Sequence, residues 1–461
     1  MNTRIATFAE VSTATFAKVF DAVSYYLPEA VINAGQRLCY NLTPLAINQL
    51  YDRTLNDNIA ISYPVFPFSG SPTLIVVAGN KQNMLAVTGY GDGEKADNAS
   101  RNPLHFIKEM AGTENIINMN YKNAAEQRKK IKPFLSEAKS LENAYHISTE
   151  LFIHLFTHWD FNKGFNENVS HVCINIISES ILGLPALSKE ETAVITLANK
   201  KMRESEPGQP DFENSRQAVS KLNHDLLTTQ KEKILSTQNY IHSKANGDAE
   251  KILSTYGVSN LLVESNLTML IMTGMAYVNN THDIRHRLVQ EIESTQNMSL
   301  NEMRQLPYLD CIYKEALRFA SPAPFIARET SRESNITITD NNGNKKIYNT
   351  PNHSLLFAPI RRMHHDTRYW KNPSEFRPER FEDPEAVNHL IPYSLGARSC
   401  PAAAHFNEIV FKAALIASVK YQLIFDKEFE EIPADSLSSR WQQEYFVTKI
   451  NEWQSTKGLQ C

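Results

Sequence analysis

Cysteine is scarce in this sequence and nowhere doubled. Five residues, Cys39, Cys173, Cys311, Cys400 and Cys461, are spread along the chain without a CxxC pair, which argues against a disulfide framework and suits a reducing compartment. Charge of one sign is missing as well. Against 47 Lys and Arg stand 51 Asp and Glu, a net of −4, so no whole-molecule field gathers nucleic acid or anionic lipid, and no nucleic-acid partner is expected. Long hydrophobic runs are absent too. The most apolar stretch, LTMLIMTGMAYV from Leu267 to Val278, falls well short of the roughly 20 residues that a bilayer-crossing helix needs, so no transmembrane span is expected. The opening MNTRIATFAEVSTATFAKVFDAVSYYL lacks a signal-peptide core, although Phe8, Phe16, Val19, Phe20 and Val23 share one apolar helix face. That face is expected to dock on the protein's own body, with peripheral membrane contact as the other option. Repeats and low-complexity tracts are also lacking.

What is present is the balance of an ordered globule, 42% hydrophobic and 21% charged. At 461 residues the chain makes either two or three domains or one large fold wrapped around something. The segment YPVFPFSGSPTLIVVAG, Tyr63 to Gly79, alternates and then runs apolar, which predicts strand, turn and strand. From about Asn123 to His286 the apolar spacing is mostly helical, as in STELFIHLFTHW. Ser259 to Ile292 holds one helical pattern for over 30 residues without proline. Its centre is apolar on every face, which predicts a buried rod with Glu264, Ser265 and Asn266 as polar intruders. Ser299 with Glu302 forms a capping box ahead of a further helix that runs to Arg318. NITITDNNGNKKIYNT predicts a hairpin turning at Asn341 to Asn344, and RYWKNPSEFRPERF a compact, proline-broken aromatic loop. The class is mainly α with small β-sheets, an α+β fold.

The segment YSLGARSCPAAAHF, Tyr393 to Phe406, places Cys400 just ahead of another helical pattern. Pro401 fits the first position of a helix, continued by Phe406, Ile409, Val410, Ala413, Leu415 and Val419. Backbone N–H groups at such a helix end favour a thiolate, and Gly396 lets the loop turn back around the sulfur. The geometry suits a metal ligand. A buried structural cysteine is the plain alternative, and zinc shared with His405, His364 or His365 follows no common spacing.

In this order, the features resemble the cytochrome P450 family of haem-thiolate proteins. Its cysteine loop F-x-x-G-x-R-x-C-x-G is matched by Tyr393, Gly396, Arg398 and Cys400, with Tyr in place of Phe and Ala402 in place of the last glycine. Glu315 and Arg318 in KEALR match the family's E-x-x-R, FRPERF its following loop, and Arg328 an arginine that reaches a haem propionate. Arg128 matches a second such arginine, although Ala124 stands where Trp or His is usual. Glu315 and Arg318 share a helix face, so Arg380 can join them in an ion-pair network.

The resemblance implies one domain over residues 1–461, with residues 1–60 a helical segment on or near the first sheet. Haem b would lie between the central helix and the cysteine-loop helix, with Cys400 as the iron's axial ligand. Arg128, Arg328, Tyr393, Gly396, Arg398, Cys400 and Ala402 would hold the cofactor. On the central helix the family's acid and alcohol fall on Glu264 and Ser265, with Leu262 for the usual glycine, or on Ser265 and Asn266. A buried Glu264 there suits a proton carrier, with a satisfied helix-packing role as the plain alternative. Phe106, Ile107, Leu261, Leu262, Ala323 and Phe325 would line an apolar substrate pocket. The implied activity is monooxygenation with O2, electrons coming from a separate ferredoxin, flavodoxin or reductase; the basic run Arg128, Lys129, Lys130 and Lys132 reads either as its docking patch or as a solvated helix face. Peroxide-using or rearranging chemistry without a reductase, and a catalytically weak haem-binding module, are the alternatives. A soluble, bacterial-like cytoplasmic enzyme is expected.

Overall fold

The computed structural model describes residues 47, 50–55, 57–62, 74–88, 99–100, 126, 128–129, 135–182, 184, 186–205, 208–236, 249–293, 298–330, 333–351, 354–396, 399–403, 405–430, 441 and 443–452. In chain order its helices are α1 (Lys81–Val87), α2 (Ala138–Thr157), α3 (Phe165–Ile177), α4 (Lys189–Glu204), α5 (Pro210–Ser236), α6 (Ala249–Asn280), α7 (His282–Glu293), α8 (Leu300–Arg304), α9 (Pro307–Ala320), α10 (Ile360–His364) and α11 (Phe406–Ser418). The strands are β1 (Ile59–Ser62), β2 (Leu74–Val77), β3 (Ala99–Ser100), β4 (Ile326–Thr330), β5 (Ser334–Thr339), β6 (Lys345–Thr350), β7 (Leu355–Ala358), β8 (Tyr421–Phe425) and β9 (Val447–Glu452). Helix therefore dominates, with small sheets, as the α+β class requires.

One sheet has the order β1-β2-β7-β4-β3, with β2 parallel to β7 and the other pairs antiparallel. β2 was expected; its partner β1 lies ahead of the segment expected to supply it, and residues 63–73 fall outside the described residues. Ile47, Leu50 and Tyr51 pack into this sheet's core, while residues 1–46 lie outside the description. β5 and β6 form the expected hairpin, Ser334 opposite Thr350 and Thr339 opposite Lys345.

The helical body is built on α6. Between Glu264 and Ala276 every residue except Asn266 is buried, as a helix apolar on all faces must be. The single long helix expected over Ser259 to Ile292 is instead two: α6 starts ten residues earlier, and regular structure breaks at Thr281, whose carbonyl accepts from Arg285 N at 3.0 Å to start α7. Arg285 then reaches Val419 O and Tyr421 O at 2.8 and 2.9 Å, fixing the break against the end of α11. Gly274 allows the close approach of α11. A Cβ there would lie 2.6 Å from the Phe411 ring, which is itself buried and 5.3 Å from Tyr313.

α9 begins with Pro307 in its first turn and ends at Ser321, a left-handed residue (φ 41°) whose N–H caps Leu317 O. On its buried face Glu315 and Arg318 are 0% exposed. Arg318 uses all five N–H donors: two on Glu315 at 2.8 Å, and one each on His364 O at 2.6 Å, Pro373 O at 2.9 Å and Glu375 O at 3.2 Å. Arg380 Nε adds a bond to Glu315 at 3.1 Å, and Arg377 N another at 2.8 Å. The aromatic loop is thereby laced to α9, and Phe376 stacks on Tyr277 of α6 with ring centroids 4.6 Å apart.

Two outcomes follow for stability. Gly274→Ala should lower the unfolding free energy by about 1–3 kcal/mol despite alanine's better helix propensity, because the ring it strikes has no room to move; the loss should shrink when Phe411→Leu is added, as read by denaturant midpoints. Glu315→Gln should cost about 3–5 kcal/mol, since it leaves two buried guanidiniums without their counter-charge; a loss under about 1 kcal/mol would show that the backbone carbonyls alone suffice.

Candidate active site around Cys400

The cysteine loop lies where two cores meet. Leu390, Tyr393, Cys400 and Ala402 belong to the helical core, while Ile391 and Leu395 pack on the core of the sheet. Between them the chain turns sharply: Ser394 and Gly396 have φ of 61° and 72°, a region in which glycine alone is unstrained. Ser399 N then reaches Gly396 O at 3.1 Å, and Cys400 N reaches Tyr393 O at 3.0 Å. Cys400 is partly buried at the end of this fold-back.

The expected helix start at Pro401 is corrected by the structure. Residues 401–403 form a turn, with Ala403 N 3.4 Å from Cys400 O and Asn407 N 3.2 Å from Ala402 O, and regular helix begins only at Phe406. Cys400 thus stands one turn ahead of the helix end, and the dipole acts on it from further away than expected. A local cation is nearer. Arg128 donates Nη1 to Ser399 O; burial lowers the pKa of its guanidinium, and the negative charge of Cys400 works against that lowering.

Arg128 also bears on whether the site fits a haem. Its Nε is buried with no hydrogen-bond partner, a costly state for a charged donor unless an anion completes it. A carboxylate beside Cys400, such as a haem propionate, is the group such a fork takes. The residues present therefore fit a haem. Arg128 is drawn inward, away from the docking patch expected of it; Lys129 is exposed, and Lys130 and Lys132 lie outside the described residues.

Tyr393 carries a feature the phenylalanine of the family lacks. Its hydroxyl lies 2.7 Å from that of Tyr313 on α9, tying the loop to the helix of Glu315 and Arg318. Burial, with the Cys400 charge adding to it, pushes the Tyr393 phenol above its ordinary range. Arg328 is buried on β4, opposite Leu356 of β7, with Nη1 on Ala327 O at 2.7 Å. Arg398 falls outside the described residues.

The polar group of α6 divides in two. Glu264 is buried and both its oxygens are taken, one by Asn199 Nδ2 of α4 at 2.7 Å and the other by Thr268 Oγ1 at 3.0 Å. Cys173 of α3 meets Thr268, and burial, with the Glu264 charge adding to it, pushes its thiol up. Ser265 is buried, while Asn266 faces open space. Neither Asn199, Thr268 nor Cys173 was foreseen, and only the i,i+4 spacing of Glu264 and Thr268 offered a signal. Ala323 is exposed and Phe325 partly buried, its ring 6.1 Å from Phe357. Phe106 and Ile107, and the side chains of Leu261 and Leu262, lie outside the described residues.

The zinc alternative loses His364. Both ring nitrogens of His364 are engaged, by Ser321 and Ile391, and His405 Nδ1 lies 2.9 Å from Arg304. A cleft of about 70 Å³ between α2, α3 and α4, with His154, His158 and His171 among its lining residues, includes no residue of the cysteine loop and is separate from this site.

Comparison with known proteins places the geometry in context. The family model for cytochrome P450 matches residues 265–403. Isoflavone 3'-hydroxylase of Medicago truncatula is 31% identical over 117 residues, 25% of this chain and 22% of that protein. For 3,9-dihydroxypterocarpan 6A-monooxygenase of Glycine max the identity is 30% over 142 residues, 28% and 26% of the two chains. A probable cytochrome P450 4p3 of Drosophila melanogaster is 28% identical over 187 residues, 38% and 35%. The matches thus span between about a fifth and a third of the relatives' own length. They also correct the expectation of a bacterial-like cytoplasmic enzyme, for these relatives are plant and insect proteins. Among the described residues no helix is long and apolar enough to cross a membrane. The matched span, residues 265–403, runs through the Glu315 network to the loop of Cys400, and over that span the chain is similar to cytochrome P450.

Proposed function

We propose that this chain is a haem-thiolate monooxygenase that oxidises a small or medium apolar organic molecule, with haem b held by the Cys400 thiolate and electrons supplied by a separate ferredoxin, flavodoxin or reductase. The observation that carries this reading is the fold-back at Cys400, with the half-buried Arg128 and its unbonded Nε beside it. When bound, a thiolate-ligated haem supplies oxygen activation, because sulfur donation favours O–O cleavage. The chain's own residues set the conditions. Arg128 and Arg328 bind and orient the carboxylates of the group, and Tyr393, pinned to Tyr313, holds the loop in place behind the sulfur. Asn266 offers an amide N–H donor and a carbonyl acceptor to the open side of α6, with Ser265 beside it. Phe325 and Ala323 contribute apolar surface.

The commitment of both Glu264 oxygens to Asn199 and Thr268 favours a second reading, in which a peroxide replaces O2 and the reductase. A carboxylate held by two donors on the α4 side serves packing better than proton delivery to the open side.

Cys400→Ser should abolish the red-shifted ferrous carbonyl band of sulfur ligation, and Arg128→Gln should weaken haem retention by about 10–100-fold, the equivalent of one charge-assisted hydrogen bond. A wild-type band at the position of imidazole ligation would sink the reading. For a compound chosen by its spectral shift on binding, Asn266→Ala should cut product formed per reducing equivalent several-fold, while Glu264→Gln stays within about twofold. Faster turnover with hydrogen peroxide than with a surrogate reductase, unmoved by either substitution, would select the second reading.

A further inference from the structure

His364 is the last residue of α10, fully buried, and it joins three parts of the site that the sequence keeps far apart. Its Nε2 lies 3.0 Å from Ile391 N. An amide N–H can only donate, so Nε2 is the acceptor and the ring proton resides on Nδ1. Nδ1 lies 2.8 Å from Ser321 Oγ, which in turn donates to Arg318 O at 2.8 Å. The direction of every proton in this chain is thereby fixed: His364 Nδ1–H to Ser321, Ser321 O–H to the last turn of α9. The backbone carbonyl of His364 meanwhile accepts from Arg318 Nη1. Ile391 is buried, nine residues ahead of Cys400, and belongs to the sheet core at the point where the cysteine loop begins.

We infer that His364 is a positioning residue, whose neutral Nδ1–H tautomer fixes the entry of the cysteine loop at Ile391 to the end of α9, and so sets where the Cys400 sulfur stands. Only a residue that donates at one end and accepts at the other spans this gap. Leucine would pack but leave Ile391 N and Ser321 Oγ buried without partners. Burial first, then the charges of His365, Arg318 and Arg361 around the ring, hold the imidazole well below its ordinary pKa. The charged form, which would set two N–H donors face to face at Ile391, is thereby excluded. The role rests on the proposed ligation by Cys400 only for its last step, from loop position to sulfur.

The test uses two variants of the full-length, haem-loaded protein. His364→Gln places an acceptor at the distance of Nε2 and keeps the bond to Ile391; His364→Asn places a donor at the distance of Nδ1 and keeps only the bond to Ser321. Amide exchange of the segment containing Ile391 should stay within about twofold of wild type in H364Q and accelerate by about tenfold in H364N, the loss of one buried hydrogen bond. The fraction of ferrous carbonyl complex with the sulfur-ligated band should fall in H364N and be retained in H364Q, while the two unfold at similar denaturant midpoints. Equal behaviour of the two variants in exchange and in spectrum would overturn the proposal and leave His364 as core packing. Should H364N not fold, the wild type decides: the imidazole 15N shifts must report the neutral Nδ1–H tautomer, and the Nε2–H tautomer overturns it. A wild type without the sulfur band but with the exchange and tautomer results intact would refute the ligation by Cys400 and leave the anchoring of Ile391 standing.

Discussion

A single carboxylate, that of Glu315, stands between two guanidiniums in the dry interior, and the segment between α10 and the cysteine loop takes its course from them. Burying two positive charges against one negative is unfavourable unless the surplus finds dipoles. Here it does. Arg318 and Arg380 donate to the carbonyls of His364, Lys371, Asn372, Pro373 and Glu375. That of His364 ends α10 and the others belong to a stretch kept out of helix and strand by tight turns and Pro373, so all of them need partners from elsewhere. Charge surplus and carbonyl surplus cancel. A loop that would otherwise be a set of alternatives is confined to one path, and that path delivers the chain to Ile391 at the mouth of the cysteine loop.

Much of this frame could be read from residue order. The i,i+3 spacing of Glu315 and Arg318 already put both on one helix face, the Asn-rich turn with Gly343 marked the β5–β6 hairpin, and Ser299 with Glu302 gave the cap of α8, where both reciprocal bonds are present. These are local signals, carried by neighbours within four residues. The parts that escaped are those whose meaning depends on distant partners. Arg361 caps the end of α9 through Phe319 O and Ala320 O at 3.1 and 3.0 Å, and nothing in RRMHH says so. His364 and Glu264 are likewise defined by Ile391, Ser321 and Asn199. Pro401 misled because a proline fits the first turn of a helix and a loop turn equally well; only the bonds at Ala402 and Ala403 distinguish them.

The loop that holds Cys400 is secured redundantly, by Arg128 on Ser399 O and, on the other side, by α9. Tyr393 is joined to Tyr313 of α9, Ile391 through His364 and Ser321 to the end of the same helix, and the turn itself by Cys400 N on Tyr393 O. The first two lead back to α9, the helix that also carries Glu315 and Arg318, and the third passes that hold from Tyr393 to Cys400. The ligand role proposed for Cys400 would benefit from supports that share one rigid element, because errors in separate elements would add. The Tyr393 hydroxyl extends this logic beyond what a phenylalanine could do, replacing packing alone with a directional bond.

The buried carboxylate of Glu264 follows a different rule. It faces α4 rather than the open side of α6, and its two hydrogen bonds use one donor from each helix, Asn199 and Thr268. Thr268 travels with Glu264 on the same helix, so that bond survives any movement of α4 against α6; the bond to Asn199 does not. Separating the two helices would therefore expose a carboxylate oxygen that either finds water or remains unsatisfied, at a cost of the order of a few kcal/mol in a dry setting. The polar intruder that the sequence marks on an apolar rod is thus a fastening between helices, while Asn266, two residues further on, is exposed on the other side.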